Sequence, residues 1–185
     1  APRFPGEFQK GIDYRGDLGW FEAEYRIHAA IAKHFDYKIS IHSGSDKFAV
    51  FPIVARLSDG NFHEKTAGTS WLEAVRVAAA KSPDLFRRIY ARAGEFFPEA
   101  KKYYHIATEL TDIAPLDQMP EARLPELLNQ EAPRQFLHIT YGQILQAPDL
   151  GPDLFRLLHA EEEAYYEVLG THFRHHADDL GLKRK

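Results

Sequence analysis

The sequence predicts an α/β fold in which parallel strands alternate with helices. Three short runs, residues 37–42, 61–67 and 135–141, alternate apolar and polar side chains with the period of two that is typical of strands. Helical patterns separate these runs, and such alternation favours a parallel sheet. Three strands are too few for a closed barrel, so we expect residues 1–185 to form a single region of a larger TIM-barrel-like (β/α) fold.

The elements of the first half each have a local reason in the sequence. Residues 19–35 place apolar side chains at three-and-four spacing, and Asp17 precedes them as a helix cap. Residues 48–57 are strongly apolar, and Pro52 suits the first turn of a helix. Residues 58–61, Ser-Asp-Gly-Asn, predict the turn that leads into the second strand.

The second half is predicted to be mainly helical apart from the third strand. Ser70 and Glu73 form a capping box at the start of a helix that ends near residue 80. Pro83 opens another helix, which Gly94 is expected to end. The remaining predicted helices cover residues 123–129 and 152–178.

Composition excludes several classes of protein. A net charge of −4 without a basic stripe argues against a nucleic-acid partner. No apolar run of about 18 residues is present, so we expect no membrane partner, and a cytoplasmic location is the default. The chain has no cysteine, which excludes disulfides and thiolate metal ligands.

Each predicted strand offers a histidine toward one end: His42, His63 and His138. Neutral imidazoles brought together in this way suit a divalent ion such as zinc, manganese or nickel. The alternative is that these histidines are hydrogen-bonded core or rim residues.

Small polar residues follow the first two strands, where the next helices begin. Backbone N–H groups at such positions favour anions. Lys47 and Lys65 also follow strands, and either could bind a carboxylate or polarise an oxygen, unless both are plain surface lysines. The small residues are Ser43, Ser45, Thr66 and Thr69.

The acidic and C-terminal candidates have simpler alternatives. Asp46 either contacts a substrate hydroxyl or Lys47, or caps the following helix, and Asp13 is a ligand or a loop cap. His172 and His176 share a helix face, but no glutamate completes an H-E-x-x-H pattern. We therefore expect these two histidines to lie on a solvated helix end.

Four motifs resemble the tagaturonate epimerase family, in consistent order over most of the chain. They are KGIDY (Lys10–Tyr14), KISIHSGSDKF (Lys38–Phe48), FHEKTAGTSWL (Phe62–Leu72) and LHITYGQIL (Leu137–Leu145). Family members are longer, so the resemblance implies the C-terminal half of a larger barrel domain.

The resemblance implies a metal-dependent isomerase of hexuronate catabolism that interconverts tagaturonate and fructuronate. The stereocentre that differs lies β to the ketone, so simple enolisation cannot invert it. Either a retro-aldol/aldol pair breaks and re-forms the neighbouring C–C bond, or the hydroxyl is transiently oxidised. Nothing in the sequence indicates a nicotinamide site, which favours the retro-aldol route with a divalent ion.

Roles follow from this implied function. We expect His42 and His63 to bind the metal, with His138 or an absent segment as the third ligand, and Lys65 to polarise the substrate or transfer a proton. Asp46 or Asp13 is the expected acid/base. The expected contacts to the sugar acid are Ser43, Ser45, Lys47, Thr66 and Thr69.

Other functions stay open at this point. A class II aldolase or ketose isomerase would use the same scaffold, and a non-catalytic sugar-acid binding domain would need only buried histidines. We expect either a second chain or a missing N-terminal half to complete the barrel.

Overall fold

The computed structural model describes residues 2–41, 46–65 and 67–182, with Ala67 and Thr69 described by their backbone alone. The chain divides into two compact units. The first contains Ala1–Ala67 and Thr171–Lys185, and the second contains Gly68–Gly170. Over the described ranges, no helix has the length and apolar character needed to cross a membrane.

The first unit is built around a small parallel sheet. Strands β1 and β2 pair in parallel, with Ile39 opposite Phe62 and Ile41 opposite Glu64, and helix α2 connects them. This arrangement confirms the first two predicted strands and the helix between them. The elements are α1 (Leu18–His34), β1 (Ile39–Ile41), α2 (Phe51–Ser58) and β2 (Phe62–Glu64).

Local signals in the sequence explain where these elements begin. The Asp17 side chain accepts a hydrogen bond from the Trp20 backbone N–H at 2.6 Å, which confirms the predicted cap of α1. Pro52 lies in the first turn of α2, where its missing N–H costs nothing. The unit packs around the buried aromatic rings of Phe21 and Tyr25 from α1 and the buried aliphatic side chains of β1.

The second unit is helical. Its core is formed by apolar side chains of α3 to α7 together with those of the longer of its two described 3-10 helices. The elements are α3 (Ala67–Lys81), α4 (Pro83–Lys101), 3-10 helices Leu110–Asp112 and Glu121–Asn129, α5 (Glu131–Ile139), α6 (Tyr141–Gln146) and α7 (Gly151–Ala160). The last helix, α8 (Glu162–Asp179), belongs to the first unit from Thr171 onward.

The prediction of a third strand at residues 135–141 is wrong. This segment forms most of α5 and the first residue of α6. Its side chains from Gln135 to Ile139 are all buried, and the pattern of so short a run does not by itself distinguish a strand from a buried helix. The described residues contain one two-stranded sheet and are mostly helical, and the larger barrel stays a prediction.

Two predicted helix boundaries are also wrong. Helix α4 continues through Gly94 to Lys101, because Ala93 and Phe97 are buried and their packing outweighs the cost of about 1 kcal/mol for a helical glycine. Ser70 lies inside α3 and not at its cap, while Glu73 pairs with Arg76 at 2.7 Å.

Candidate metal centre

Three side chains of the first unit bring potential metal ligands together: Asp46, His172 and His176. One ligand atom of each lies within 4.8 Å of the others. The distance from His172 Nε2 to Asp46 Oδ1 is 3.5 Å. Asp46 and His176 are buried, and only 12% of the His172 side chain is exposed.

Local backbone geometry accounts for this convergence. His172 and His176 are one turn apart on α8, so they project from the same face of that helix. Asp46 lies shortly after β1 and has a left-handed φ of 64°, a conformation that aspartate tolerates better than most residues. Two distant regions of the chain therefore contribute to one cluster.

Glu64, the last residue of β2, extends the cluster. Its Oε1 lies 3.3 Å from His176 Nε2, and 9% of its side chain is exposed. Burial, and then the charge of Asp46, raise the pKa of the Glu64 carboxyl to about 7. Burial lowers the pKa of His176, which favours the neutral imidazole that binds metals.

The tautomer of His176 follows from its backbone contact. His176 Nδ1 lies 3.0 Å from the carbonyl oxygen of His172. A carbonyl can only accept a hydrogen bond, so Nδ1 carries the proton and Nε2 presents a lone pair toward Glu64. Among the described residues, neither His176 Nε2 nor Glu64 Oε1 has a hydrogen-bond partner. A cation or a shared proton would satisfy both of these acceptor atoms.

The donor set fits a divalent transition metal. Two imidazole nitrogens and one carboxylate leave coordination positions open, as in catalytic zinc and non-haem iron sites. The bond from His176 Nδ1 to a backbone carbonyl is the outer contact that commonly orients a ligating histidine. The residues that would hold the ion are Asp46, His172 and His176, with Glu64 beside them.

Phe48 packs against the histidines of α8. Its ring stacks on His175 at a centroid distance of 4.1 Å and meets His176 edge-on at 4.8 Å. His175 also pairs with Asp179, at 3.3 Å. These contacts restrict the histidine-bearing turn of α8, which helps to hold the ligand atoms in place.

Several predicted site residues lie outside the described part of the chain. His42, Ser43, Ser45 and Thr66 are in this group. Thr69 is described only by its backbone, in the first turn of α3. Their roles stay predictions.

Two predicted site residues, Lys47 and Asp13, connect the backbone of residues 9–14 to that of residues 47–49. The Lys47 amine is fully buried and donates to the carbonyl oxygen of Gln9 at 2.9 Å and to that of Ile12. The Asp13 carboxylate accepts hydrogen bonds from the backbone N–H groups of Tyr14, at 2.6 Å, and Ala49, at 3.2 Å. These contacts match the loop-cap alternative for Asp13 and give Lys47 a structural contact in addition to its predicted role.

The structure does not bring His63 and His138 together on adjacent strands as we expected. His63 is exposed, and its Nδ1 lies 3.0 Å from the Ser40 hydroxyl. Successive strand residues point to opposite faces, so Glu64, and not His63, faces the cluster. His138 is buried in α5 of the second unit, and Lys65 is exposed at the end of β2.

Glu64 was not predicted as a site residue, and the prediction that His172 and His176 lie on a solvated helix end is wrong, because only 12% and 5% of their side chains are exposed. The signal was present, because two histidines four residues apart share one face. The polar residues around these two histidines made the helix end look solvated as a whole. His175, which lies between them, is in fact 59% exposed. Glu64 lies within the FHEKTAGTSWL motif, but nothing in the sequence indicates which face of the strand is buried.

Comparison with known proteins gives a consistent result. The family model for tagaturonate epimerase matches residues 1–180. A tagaturonate/fructuronate epimerase of Thermotoga maritima is 46% identical over 181 residues, which are 97% of this chain and 38% of that protein. Native and glycerol-complexed crystal structures of fructuronate-tagaturonate epimerase UxaE from Cohnella laeviribosi are 52% identical, with a TM-score of 0.94.

The two crystal structures match over 98% of this chain and 38% of theirs. The chain thus spans well under half the length of these relatives. A family model that matches nearly every residue, together with such identity, is sufficient for assignment: the chain belongs to the tagaturonate epimerase family.

Proposed function

We propose that this chain forms part of a metal-dependent epimerase that interconverts tagaturonate and fructuronate. The observation that carries the metal dependence is the convergence of Asp46, His172 and His176, with the lone pair of His176 Nε2 directed into the cluster. The substrate pair is that named for the relatives in Thermotoga maritima and Cohnella laeviribosi.

In this proposal, four residues of the chain have roles at the metal ion. Asp46, His172 and His176 hold the ion, and Glu64 adds negative charge beside it. The bound ion would supply Lewis-acid stabilisation where negative charge develops on the substrate oxygen. Asp46 thus becomes a ligand in this proposal, whereas the roles that followed from the family resemblance made Asp46 or Asp13 the acid/base.

Two lysines of the first unit are suited to the carboxylate of a sugar acid. Burial, and then the charge of Lys65, lower the pKa of Lys10. Both side chains offer the positive charge that a carboxylate needs. We therefore assign Lys65, together with Lys10, to the carboxylate end of the substrate or to the polarisation of its oxygen.

For the reaction we propose a retro-aldol/aldol pair. A base removes the proton of the hydroxyl on the inverting carbon, the bond from that carbon to its neighbour on the ketone side breaks, and the electron pair passes to the ketone oxygen. The inverting carbon becomes an aldehyde. Rotation of this aldehyde and re-addition of the same partner give the epimer, with no net change in atoms or electrons.

The metal assignment is tested with His172→Ala and His176→Ala in the complete polypeptide that contains this chain. We expect metal content to fall sharply and epimerase activity to fall at least about a hundredfold, because several kcal/mol of transition-state stabilisation depend on the ion. Metal content is measured by inductively coupled plasma mass spectrometry, and activity by conversion of tagaturonate.

Arg174→Ala is the matched control, since Arg174 lies on the same turn but is exposed, and its guanidinium donates to the Thr171 hydroxyl. It should retain the metal. Unchanged metal content in both His172→Ala and His176→Ala would remove the cluster from the proposal. Release of two short fragments as the net products would indicate an aldolase instead.

The bond that breaks distinguishes the two routes of inversion. A substrate deuterated at the inverting carbon should keep its deuterium and show no primary kinetic isotope effect, because the retro-aldol route leaves that C–H bond intact. The measurement is the rate ratio of protiated and deuterated substrate. A clear primary effect would favour transient oxidation.

A further inference from the structure

Helix α1 exposes a stripe of large apolar side chains. Trp20 is 61% exposed, Ile27 56% and Ile31 41%, and Phe35, directly after the helix, is 68% exposed. With about 100° of rotation per residue, Trp20, Ile27 and Ile31 lie within about 40° of one another on the helix surface. We call these four residues the α1 stripe. Scattered exposed apolar residues are common, but an aligned set usually marks a contact surface.

The other faces of α1 are already in use. Phe21, Tyr25 and Ala32 are buried in the core of the first unit. Glu22 pairs with Arg56 of α2 at 2.8 Å, which places α2 along that flank of α1. Glu22 is about half a turn away from Ile31 on the helix surface. The α1 stripe therefore faces away from α2.

The spacing of the stripe suits another helix as its occupant. Positions 20, 27 and 31 follow the seven- and four-residue intervals at which one helix packs along another. The small side chains of Ala23 and Ala30 lie beside the stripe and would permit close approach. A row of helices that continues past α1 is also consistent with the short parallel sheet, because parallel sheets are normally covered by helices.

The family relatives indicate where such a helix would come from. This chain accounts for only 38% of their length, so most of each relative lies outside the matched segment. We propose that a helix from the part of the longer family polypeptide outside this chain packs on the α1 stripe. This proposal does not depend on the metal centre or on the reaction.

Thiol protection tests the proposal in the complete polypeptide. Because this chain has no cysteine, Ile27→Cys places one thiol at a known position in it, and peptide mass mapping separates that thiol from any other. Lys33→Cys is the matched control, since the Lys33 side chain is 84% exposed on the same helix. We expect maleimide to label position 27 at least about tenfold more slowly than position 33, because a packed position reacts only when it opens.

Three outcomes would overturn the proposal. The first is equal labelling rates at positions 27 and 33 in a folded, active polypeptide. The second is protection that disappears on dilution to a monomer, which would indicate a second copy of the chain. The third is protection that persists after removal of the additional segment. If Ile27→Cys does not fold, Ile31→Cys provides the same measurement on the same stripe.

Discussion

Glu64 Oε1 and His176 Nε2 face each other at 3.3 Å in a buried part of the first unit. The proton on His176 Nδ1 is committed to the His172 carbonyl, so these two facing atoms are both acceptors when Glu64 is ionised. Without a cation, the pair gains most when Glu64 is protonated and donates to His176. In the proposed metal centre, this contact would link the protonation of Glu64 to metal binding and to the stability of the fold.

The first prediction concerns the pH dependence of the metal-free protein. The pKa of Glu64 is raised from 4.5 to about 7 in the folded state, so between these values the folded protein holds a proton that the unfolded chain releases. Glu64 therefore stabilises the fold below about pH 4.5 and loses this contribution as pH rises to 7. The loss is at most roughly 3 kcal/mol.

Urea unfolding of chelator-treated protein at pH 5 and pH 8 measures this effect. Glu64→Gln should show a smaller fall in the free energy of unfolding between the two pH values, because an amide does not titrate here. Glu163→Gln, an exposed position on α8, should behave like the unchanged protein. Equal pH dependence in all three proteins would contradict the prediction.

At the scale of elements, α3 and α5 meet where Gly68 lies against His138. A Cβ added to Gly68 would lie 2.1 Å from His138 Nε2, far inside van der Waals contact. His138 is buried, so its ring has little room to move. The absence of a side chain at position 68 therefore permits this helix pair to pack.

The second prediction is that Gly68→Ala destabilises the protein by about 1–3 kcal/mol through overpacking. Gly94→Ala is the matched control, because nothing lies within 4 Å of its added Cβ in the middle of α4. That control should stabilise the protein by up to about 1 kcal/mol. Urea midpoints of the two variants measure both effects.

A double-mutant cycle assigns the cause. If the clash with the imidazole is responsible, Gly68→Ala should cost much less in a His138→Ala background than in the unchanged protein. Additive effects would show that the cost of Gly68→Ala arises elsewhere in α3.

At the scale of the whole molecule, the candidate metal centre joins distant parts of the chain. Asp46 follows the first strand, whereas His172 and His176 lie on the last helix. An unfolded chain rarely brings these residues together, so an ion that needs all three binds the folded state far more tightly than the unfolded one. Metal binding should therefore appear as folding stability.

The third prediction is that a bound divalent ion raises the unfolding temperature in a concentration-dependent way. At a free metal concentration of about one hundred times Kd, the gain is about 2.7 kcal/mol. Differential scanning calorimetry with and without zinc, manganese or nickel measures it. His172→Ala should remove the gain, and a gain that survives this substitution would place the binding site elsewhere.

Local chemistry determined much of the first unit. Asp17 fixes the start of α1, Pro52 that of α2, and the alternating runs specify β1 and β2, because each signal acts over a few neighbouring residues. The four sequence motifs were sufficient to predict the family that the comparisons then showed. Histidine, the ligand type that the sequence favoured, also occurs in the candidate cluster, at His172 and His176, and metal binding by this cluster stays a proposal.

Tertiary structure alone decided the rest. Residues 135–139 were predicted as a strand because the pattern of so short a run fits a strand and a buried helix alike, and only their packing in the second unit distinguishes the two. His172 and His176 became candidate ligands because α8 brings them to Asp46, a contact between residues far apart in the chain that no local pattern encodes. Caps, turns and short strands depend on residues that are neighbours in the sequence, whereas core packing and the candidate metal centre depend on which distant parts of the chain come into contact.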